Sequence, residues 1–333
     1  MTESRGFRAP ATRMRITARP LLWATGVLSR VGGALPTSTT TNAAVACDKS
    51  SVGSLLWLPA MNVFRRISGD IAPVYRFYTD TLGFEGLTTY DVGNDSQVWR
   101  IKAGSSELKL SRQEEGGTYV HGGAADATGL RLWTFFSNDE TGLVMRFRGT
   151  GRALPKFKDY VSQAGQLLKR SALVADPDGH AVELVITNDP PGKKRDGMEV
   201  GMVVSNFNNS LPFYHEFVGL EQLESEFDPV FNTTKHLFRQ GSTVVSLRSF
   251  GAEVPADTGS AGIQYVVSDL GRVDELARCR NISINKPLSG IPGFDVRTLW
   301  LDDPDGIINY FAETADSRRR KISRGKRRSE EDP

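Results

Sequence analysis

The sequence predicts an α+β protein built from four βαβββ modules, one domain present twice in tandem with each copy itself a doubled half. Three recurrences carry that prediction. Phe77-Tyr78, Gly83 and Glu85 return as Phe213-Tyr214, Gly219 and Glu221, all displaced by 136 residues. Asp176-Pro177-Asp178-Gly179 returns as Asp303-Pro304-Asp305-Gly306, displaced by 127. Between these, Ser137-Asn138-Asp139 ahead of one helical stretch matches Val267-Ser268-Asp269 ahead of another. Landmarks of unlike chemistry, recurring in one order at near-constant spacing, mark a duplication.

The first module opens with a strand-like run, Asn62–Ser68, after which Asp70 is placed to cap the orphan N–H groups of a first helical turn. Val74, Phe77, Tyr78 and Leu82 follow at helical spacing and make one apolar face. Pro73 falls in the first turn, where a missing N–H is harmless, and Gly83 supplies the left-handed residue that ends a helix. The alternating runs Gln97–Lys102 and Glu107–Arg112 read as a meander. The second module follows the Gly-rich loop 115–128. Its Asp-Pro-Asp-Gly turn joins Ala172–Ala175 to Val182–Ile186, with Pro presetting φ and Gly taking the positive φ. The third repeats the first: strand Glu199–Ser205, cap Asn206, a helix whose start Pro212 is expected to bend, then His236–Arg239 and Thr243–Phe250. The fourth repeats the second, with Arg297–Leu301 turning into Ile307–Phe311. The modules run 54–113, 128–188, 197–251 and 260–314. They give one domain at 54–188 and a second at 197–314, linked through Asn188–Asp196.

Residues 1–53 and 315–333 fall outside this pattern. The first segment holds seven Lys/Arg against two Asp/Glu, a short apolar stretch at Leu21–Leu28, and Ala44-Val45-Ala46 just before Cys47. It reads as an export signal or an organelle transit peptide, with a disordered extension and a cytoplasmic protein as the other reading. The last segment, with eight Lys/Arg, reads as a basic disordered tail. Net charge is only +2, so the body between these basic ends is net acidic, which argues against a nucleic-acid partner. No apolar run approaches the ~18 residues of a membrane span. Cys47 and Cys279 lie far apart in unlike contexts and imply neither a disulfide framework nor a zinc site. Of the four histidines, His121, His180 and His215 read as polar surface, leaving His236 on a strand.

The segments Asp70–Glu85, their echo Asn206–Glu221, and Asp176–Leu184 together resemble the vicinal oxygen chelate superfamily. That superfamily includes glyoxalases, bleomycin- and fosfomycin-resistance proteins, epimerases and extradiol dioxygenases. The resemblance implies two tandem glyoxalase-like domains, each a curved sheet around a cleft, with metal ligands on the first and last strands of the halves. At those positions the first copy offers Val63 (Asn62 in the neighbouring register), Leu132, the stretch Glu107–Lys109, and Glu183. The second offers Glu199, Gly262 with Gln264 two residues on, Ser246 or Arg248, and Tyr310. A weak metal site drawn from Glu199, Gln264 and His236 is the most this set allows, so the cofactor is a weakly held divalent metal or none. Glu183 and Glu199 are the candidate catalytic bases, and Lys109 or Arg131 the expected partner of Glu183. Trp57, Trp99, Trp133, Phe135, Tyr265, Trp300 and Tyr310 are candidates to line the clefts. The expected function is binding or transformation of a small oxygenated or aromatic metabolite in an aromatic-lined cleft with a degenerate metal site. The alternative is a metal-dependent lyase, isomerase or ring-cleaving dioxygenase acting on a vicinal-oxygen substrate. A homodimer stays open as the oligomeric arrangement.

Overall fold

The structure is a computed structural model that describes residues 48–57, 61–92, 97–114, 116–188, 198–251 and 253–319. The first module comprises β1 (Asn62–Ile67), α1 (Ile71–Arg76), β2 (Glu85–Asp91), β3 (Gln97–Ala103) and β4 (Ser106–Arg112). The second comprises β5 (Gly129–Ser137), α2 (Glu140–Gly149), β6 (Lys158–Val161), β7 (Leu167–Ala175) and β8 (Ala181–Ile186). The third runs β9 (Met198–Val203), α3 (Phe207–Pro212), β10 (Glu221–Gln222), β11 (Glu226–Asp228), β12 (Thr233–Gln240) and β13 (Thr243–Arg248). The fourth runs β14 (Ala261–Val266), α4 (Leu270–Cys279), β15 (Ile284–Gly290), β16 (Val296–Asp302) and β17 (Ile308–Thr314).

All four helices start on a carboxylate or amide cap, because Asp70, Asp139, Asn206 and Asp269 each accept from a backbone N–H two or three residues on. α1 and α3 each widen into a π-helical turn, Phe77–Thr81 and Phe213–Phe217. Pro212 closes α3 rather than bending its start. It is not the cause of the wide turn, since the first copy makes the same turn behind Arg76. Gly83 and Gly219 then take φ near +84° and +82°.

The two repeated motifs are partners. Tyr78 Oη donates to Asp176 Oδ2 at 3.0 Å and Tyr214 Oη to Asp303 Oδ2 at 2.8 Å. The Tyr of each Phe-Tyr therefore holds the first Asp of the turn one module later, and that Asp also accepts from two backbone amides of its own turn.

The modules assemble into two sheets, and neither sheet coincides with a tandem copy. The first sheet has the order β15-β16-β17-β14-β1-β4-β3-β2, joining modules one and four. The second has the order β10-β12-β13-β9-β5-β8-β7-β6, with β11 on β12, joining modules two and three. The expectation that 54–188 and 197–314 would each close on its own cleft is thereby corrected. A module's first strand has a free edge, and the edges that meet are β1 with β14 and β5 with β9, both antiparallel. All four first strands are alike in pattern, so the repeat itself does not select the pairing. One face of each sheet packs, with the helices, on a single continuous core that includes Val63, Ile67, Phe77, Trp133, Phe147, Val200 and Phe213. The hairpins β3–β4 and β12–β13 meet through the hydroxyl pairs Ser105–Ser242 and Ser106–Thr243.

The body is longer than 54–314. Val52 is fully buried in the core and Leu56 bridges to Val267. Residues 315–319 are helical, with Arg318 paired to Asp295 and Glu313. Cys279 is disulfide-bonded, contrary to the sequence expectation, with its partner outside the described residues. The segment up to residue 47 that reads as an export or transit signal, most of the linker and the tail from residue 320 also lie outside them. Among the described residues no helix is long and apolar enough to cross a membrane.

Candidate functional site

The register of the strands builds a floor in each cleft. Across the first sheet Asn62 stands opposite Gln264, Gln264 opposite Tyr310, and Glu107 beside Asn62, whose Oδ1 accepts the Glu107 amide at 2.9 Å. Across the second sheet Thr134 stands opposite both Glu183 and Glu199. These side chains project away from the core because strand residues alternate. Val182 and Leu184 enter the core, so Glu183 faces the cleft side, and Met198 and Val200 do the same for Glu199.

The first cleft encloses a cavity of about 670 Å³. Phe64, Trp300 and Tyr310 form one aromatic wall, with ring centroids 5.9 Å apart for Phe64–Trp300 and 5.0 Å for Trp300–Tyr310. Tyr90 and Phe294, 5.9 Å apart, form the other. Arg66 lies over Phe64 and Trp300 at 5.3 and 5.6 Å and pairs with Glu114. On the floor Arg100 grips both oxygens of Glu107, at 3.0 and 2.6 Å. Lys109 donates to Gln264 Oε1 at 2.6 Å and lies 3.8 Å from Glu107. Burial pushes the Lys109 ammonium down to about 8, and Glu107 only partly offsets this.

The second cleft is floored with ion pairs. Lys235 Nζ donates to both oxygens of Glu199 at 2.9 and 2.8 Å. Arg248 donates twice to Asp228, at 2.9 and 2.7 Å, and also reaches Glu199 and Ser246. Lys169 lies 2.6 Å from Glu183, whose other oxygen accepts from Thr134 at 3.2 Å. Burial opposes ionisation of Glu199, but Lys235 and Arg248 outweigh it and hold the carboxyl well below the usual range. A cavity of about 630 Å³ opens above this floor between Leu167, Leu168 and Phe227.

Glu183 and Glu199 are thus brought together on one sheet. Glu199 and Gln264 are not, since they lie on different sheets. His236 neighbours Lys235 on β12 but stacks edge-on against Phe207 at 4.5 Å and bonds Ser225, so it does not join Glu199. The trio expected to hold a metal is therefore dispersed, and the described residues contain no cluster of three or more His, Cys, Asp or Glu side chains fit for a metal. The partner of Glu183 is Lys169; Lys109 belongs to the other cleft and Arg131 pairs with Asp257. The first-strand positions prove to be Asn62 and Thr134, not Val63 and Leu132. Of the aromatic candidates, Trp300 and Tyr310 line a cleft, whereas Trp133, Phe135 and Tyr265 are core. His180 is buried against Trp133 rather than solvated. Lys169, Asp228 and Lys235 escaped the sequence reading, and Arg248 entered it only as one of two residues at a ligand position, not as an ion-pair partner. The one available signal was parity, since Lys235 shares its strand face with the buried Leu237.

Residues 60–184 match the model of the Glyoxalase/Bleomycin resistance protein/Dioxygenase superfamily. Over that segment the chain is similar to this superfamily. No curated protein matches it significantly in sequence. Among solved structures, glyoxalase I from Zea mays superposes with a TM-score of 0.61 at 19% identity, covering 77% of this chain and 94% of that one. A putative dioxygenase from Bacillus subtilis superposes with a TM-score of 0.55 at 11% identity, covering 80% and 87%. At such identities the likeness extends to the fold.

Superfamily sites that hold a divalent metal need several uncommitted oxygen or nitrogen donors. The first floor offers two amides, a phenol and one carboxylate. That carboxylate is clasped by Arg100, and the Gln264 oxygen already accepts from an ammonium. The second floor offers carboxylates, but Lys169, Lys235 and Arg248 stand against Glu183, Glu199 and Asp228 and neutralise them. Neither donor set fits a metal ion.

Proposed function

We propose that the protein binds a small aromatic carboxylate in the first cleft, without a metal, and that the second cleft is structural. The observation that carries this reading is the Lys109 ammonium on the floor of an aromatic-walled cavity, beside a carboxylate committed to Arg100. A ligand carboxylate set on Lys109 supplies the missing counter-charge as a charge-assisted hydrogen bond. The ring then lies among Phe64, Trp300 and Tyr310, an arrangement normal for concave ligand sites. Calorimetric titration with benzoate and 4-hydroxybenzoate tests it. Both are expected to bind, benzyl alcohol at least about tenfold more weakly, and added chelator is expected to change nothing. Equal affinity in wild type, Lys109→Met and Trp300→Ala would remove the first cleft from consideration.

Catalysis by Glu183 or Glu199 is the second reading, supported by their shared face across Thr134. It is the weaker of the two, because Lys235 and Arg248 keep Glu199 ionised at the expense of its basicity.

A further inference from the structure

Three cleft lysines can be compared in this molecule, and only one lacks a carboxylate within direct hydrogen-bonding distance. Lys235 lies 2.8 Å from Glu199 and Lys169 lies 2.6 Å from Glu183. Lys109 finds its carboxylate at 3.8 Å, and Arg100 already holds both oxygens of that group. The register sets Lys109 between Arg100 on β3 and Phe64 on β1. Its amine meets the neutral oxygen of Gln264 on β14, while Arg66 and Tyr310 also face the cavity. A partly buried amine that bonds a neutral acceptor, with cationic neighbours, one Arg-held carboxylate and an apolar wall, is an environment that favours a nucleophilic lysine.

We infer that Lys109 is a reactive amine that forms a reversible imine with a small aromatic aldehyde bound in the first cleft. This rests on the proposed binding reading, with the aldehyde carbon taking the place of the carboxyl carbon. The neutral Nζ lone pair forms the C–N bond and the carbonyl π pair moves to oxygen, which takes a proton from the nitrogen. The carbinolamine then loses its hydroxyl with the remaining N–H proton as water, leaving a C=N bond. Amine plus aldehyde gives imine plus water, with no oxidant or reductant required. Gln264 Oε1, accepting one N–H, positions the amine. Burial lowers the Lys109 ammonium and so favours the neutral amine that the geometry presents to the cavity.

The test uses the full chain with benzaldehyde and sodium cyanoborohydride, which reduces the imine to a stable secondary amine, followed by peptide mass mapping. The inference expects Lys109 to be labelled at least about tenfold faster than any other lysine, with a rate that rises through pH 8. Lys109→Arg, which keeps the charge but cannot form the imine, is expected to lose this label. Labelling spread evenly over surface lysines, or undiminished in Lys109→Arg, overturns the inference. Benzoate separates the two ideas, since it fills the site and cannot form an imine. Benzoate binding without selective labelling ends the imine and leaves the binding reading standing. Absence of both ends the two together.

Discussion

In the first sheet Asn62, Gln264 and Tyr310 form the floor where, at the same strand positions, the second sheet carries Glu199, Thr134 and Glu183. Lys109 likewise corresponds to Ser246, each lying three residues beyond the matched hairpin residues Ser106 and Thr243. The backbones repeat, but the balance of charge is reversed. Two carboxylates on either side of one strand repel and resist burial unless cations join them. The second cleft supplies Lys169, Lys235 and Arg248 from neighbouring strands and becomes a closed ion cluster. The first cleft has the neutral Asn62 and Tyr310 at those positions, so the carboxylate nearest its lysine is Glu107 at 3.8 Å, already gripped by Arg100, and the lysine faces a cavity. The second floor is therefore internally neutralised, whereas Lys109 on the first floor has only the Gln264 oxygen at direct hydrogen-bonding distance and shares Glu107 with Arg100.

The largest expected difference lies in stability. Arg248→Met leaves Asp228 and Glu199 undercompensated in the interior and is expected to lower unfolding free energy by about 3–5 kcal/mol in urea titrations. Lys109→Met is expected to change it by less than about 1 kcal/mol, since it removes a desolvated charge whose nearest carboxylate, Glu107, stays paired with Arg100. Equal losses at the two sites would abolish the contrast between a structural and a binding cleft.

Acid sensitivity sharpens it further. Glu199 has its folded pKa held below the unfolded value, so its contribution is present above about pH 4.5 and is lost as pH falls. Asp303 is opposite in sign. Burial, the largest effect, raises it to about 7 despite hydrogen bonds from Ile307 and Tyr214. Its favourable contribution is complete below its unfolded value of 3.8 and disappears as pH climbs to about 7. Asp303→Asn is expected to flatten stability between those limits, by up to about 1.4 kcal/mol per pH unit. An unaltered slope in chemical denaturation would show that Asp303 stays ionised.

Ligand affinity comes next. Lys109→Met is expected to weaken benzoate binding about tenfold or more, close to 1.4 kcal/mol, whereas Glu183→Gln is expected to leave it unchanged by calorimetry. A loss in Glu183→Gln comparable to that in Lys109→Met would move the working site to the second sheet. The smallest expected effect is that of Zn²⁺, Mn²⁺ or Ni²⁺ on the melting temperature, which should be nil because neither floor has donors to spare. A metal-dependent rise in wild type that vanishes in Glu199→Ala would restore the second cleft as a metal site.

Much of this protein is legible from local chemistry alone. The caps at Asp70 and Asn206, the helix-ending Gly83 and Gly219 and the Asp-Pro-Asp-Gly turns act within a few residues of themselves, and strand parity alone put Glu183 on the face opposite Val182 and Leu184. Repetition of those signals was enough to establish four modules and their order. The pairing of modules one with four and two with three was decided by which strand edges meet, contacts that span 202 residues at Asn62–Gln264 and 65 at Thr134–Glu199. The same holds for the candidate site. Glu199 and Gln264 are inward-facing residues of equivalent type in sequence, yet they floor different clefts. Lys169 reaches Glu183 from the adjacent β7, and Lys235 reaches Glu199 from β12 across β13, only once the sheet is assembled. Side-chain direction is a local property of a strand, whereas the identity of the charge across the sheet is settled only by tertiary pairing.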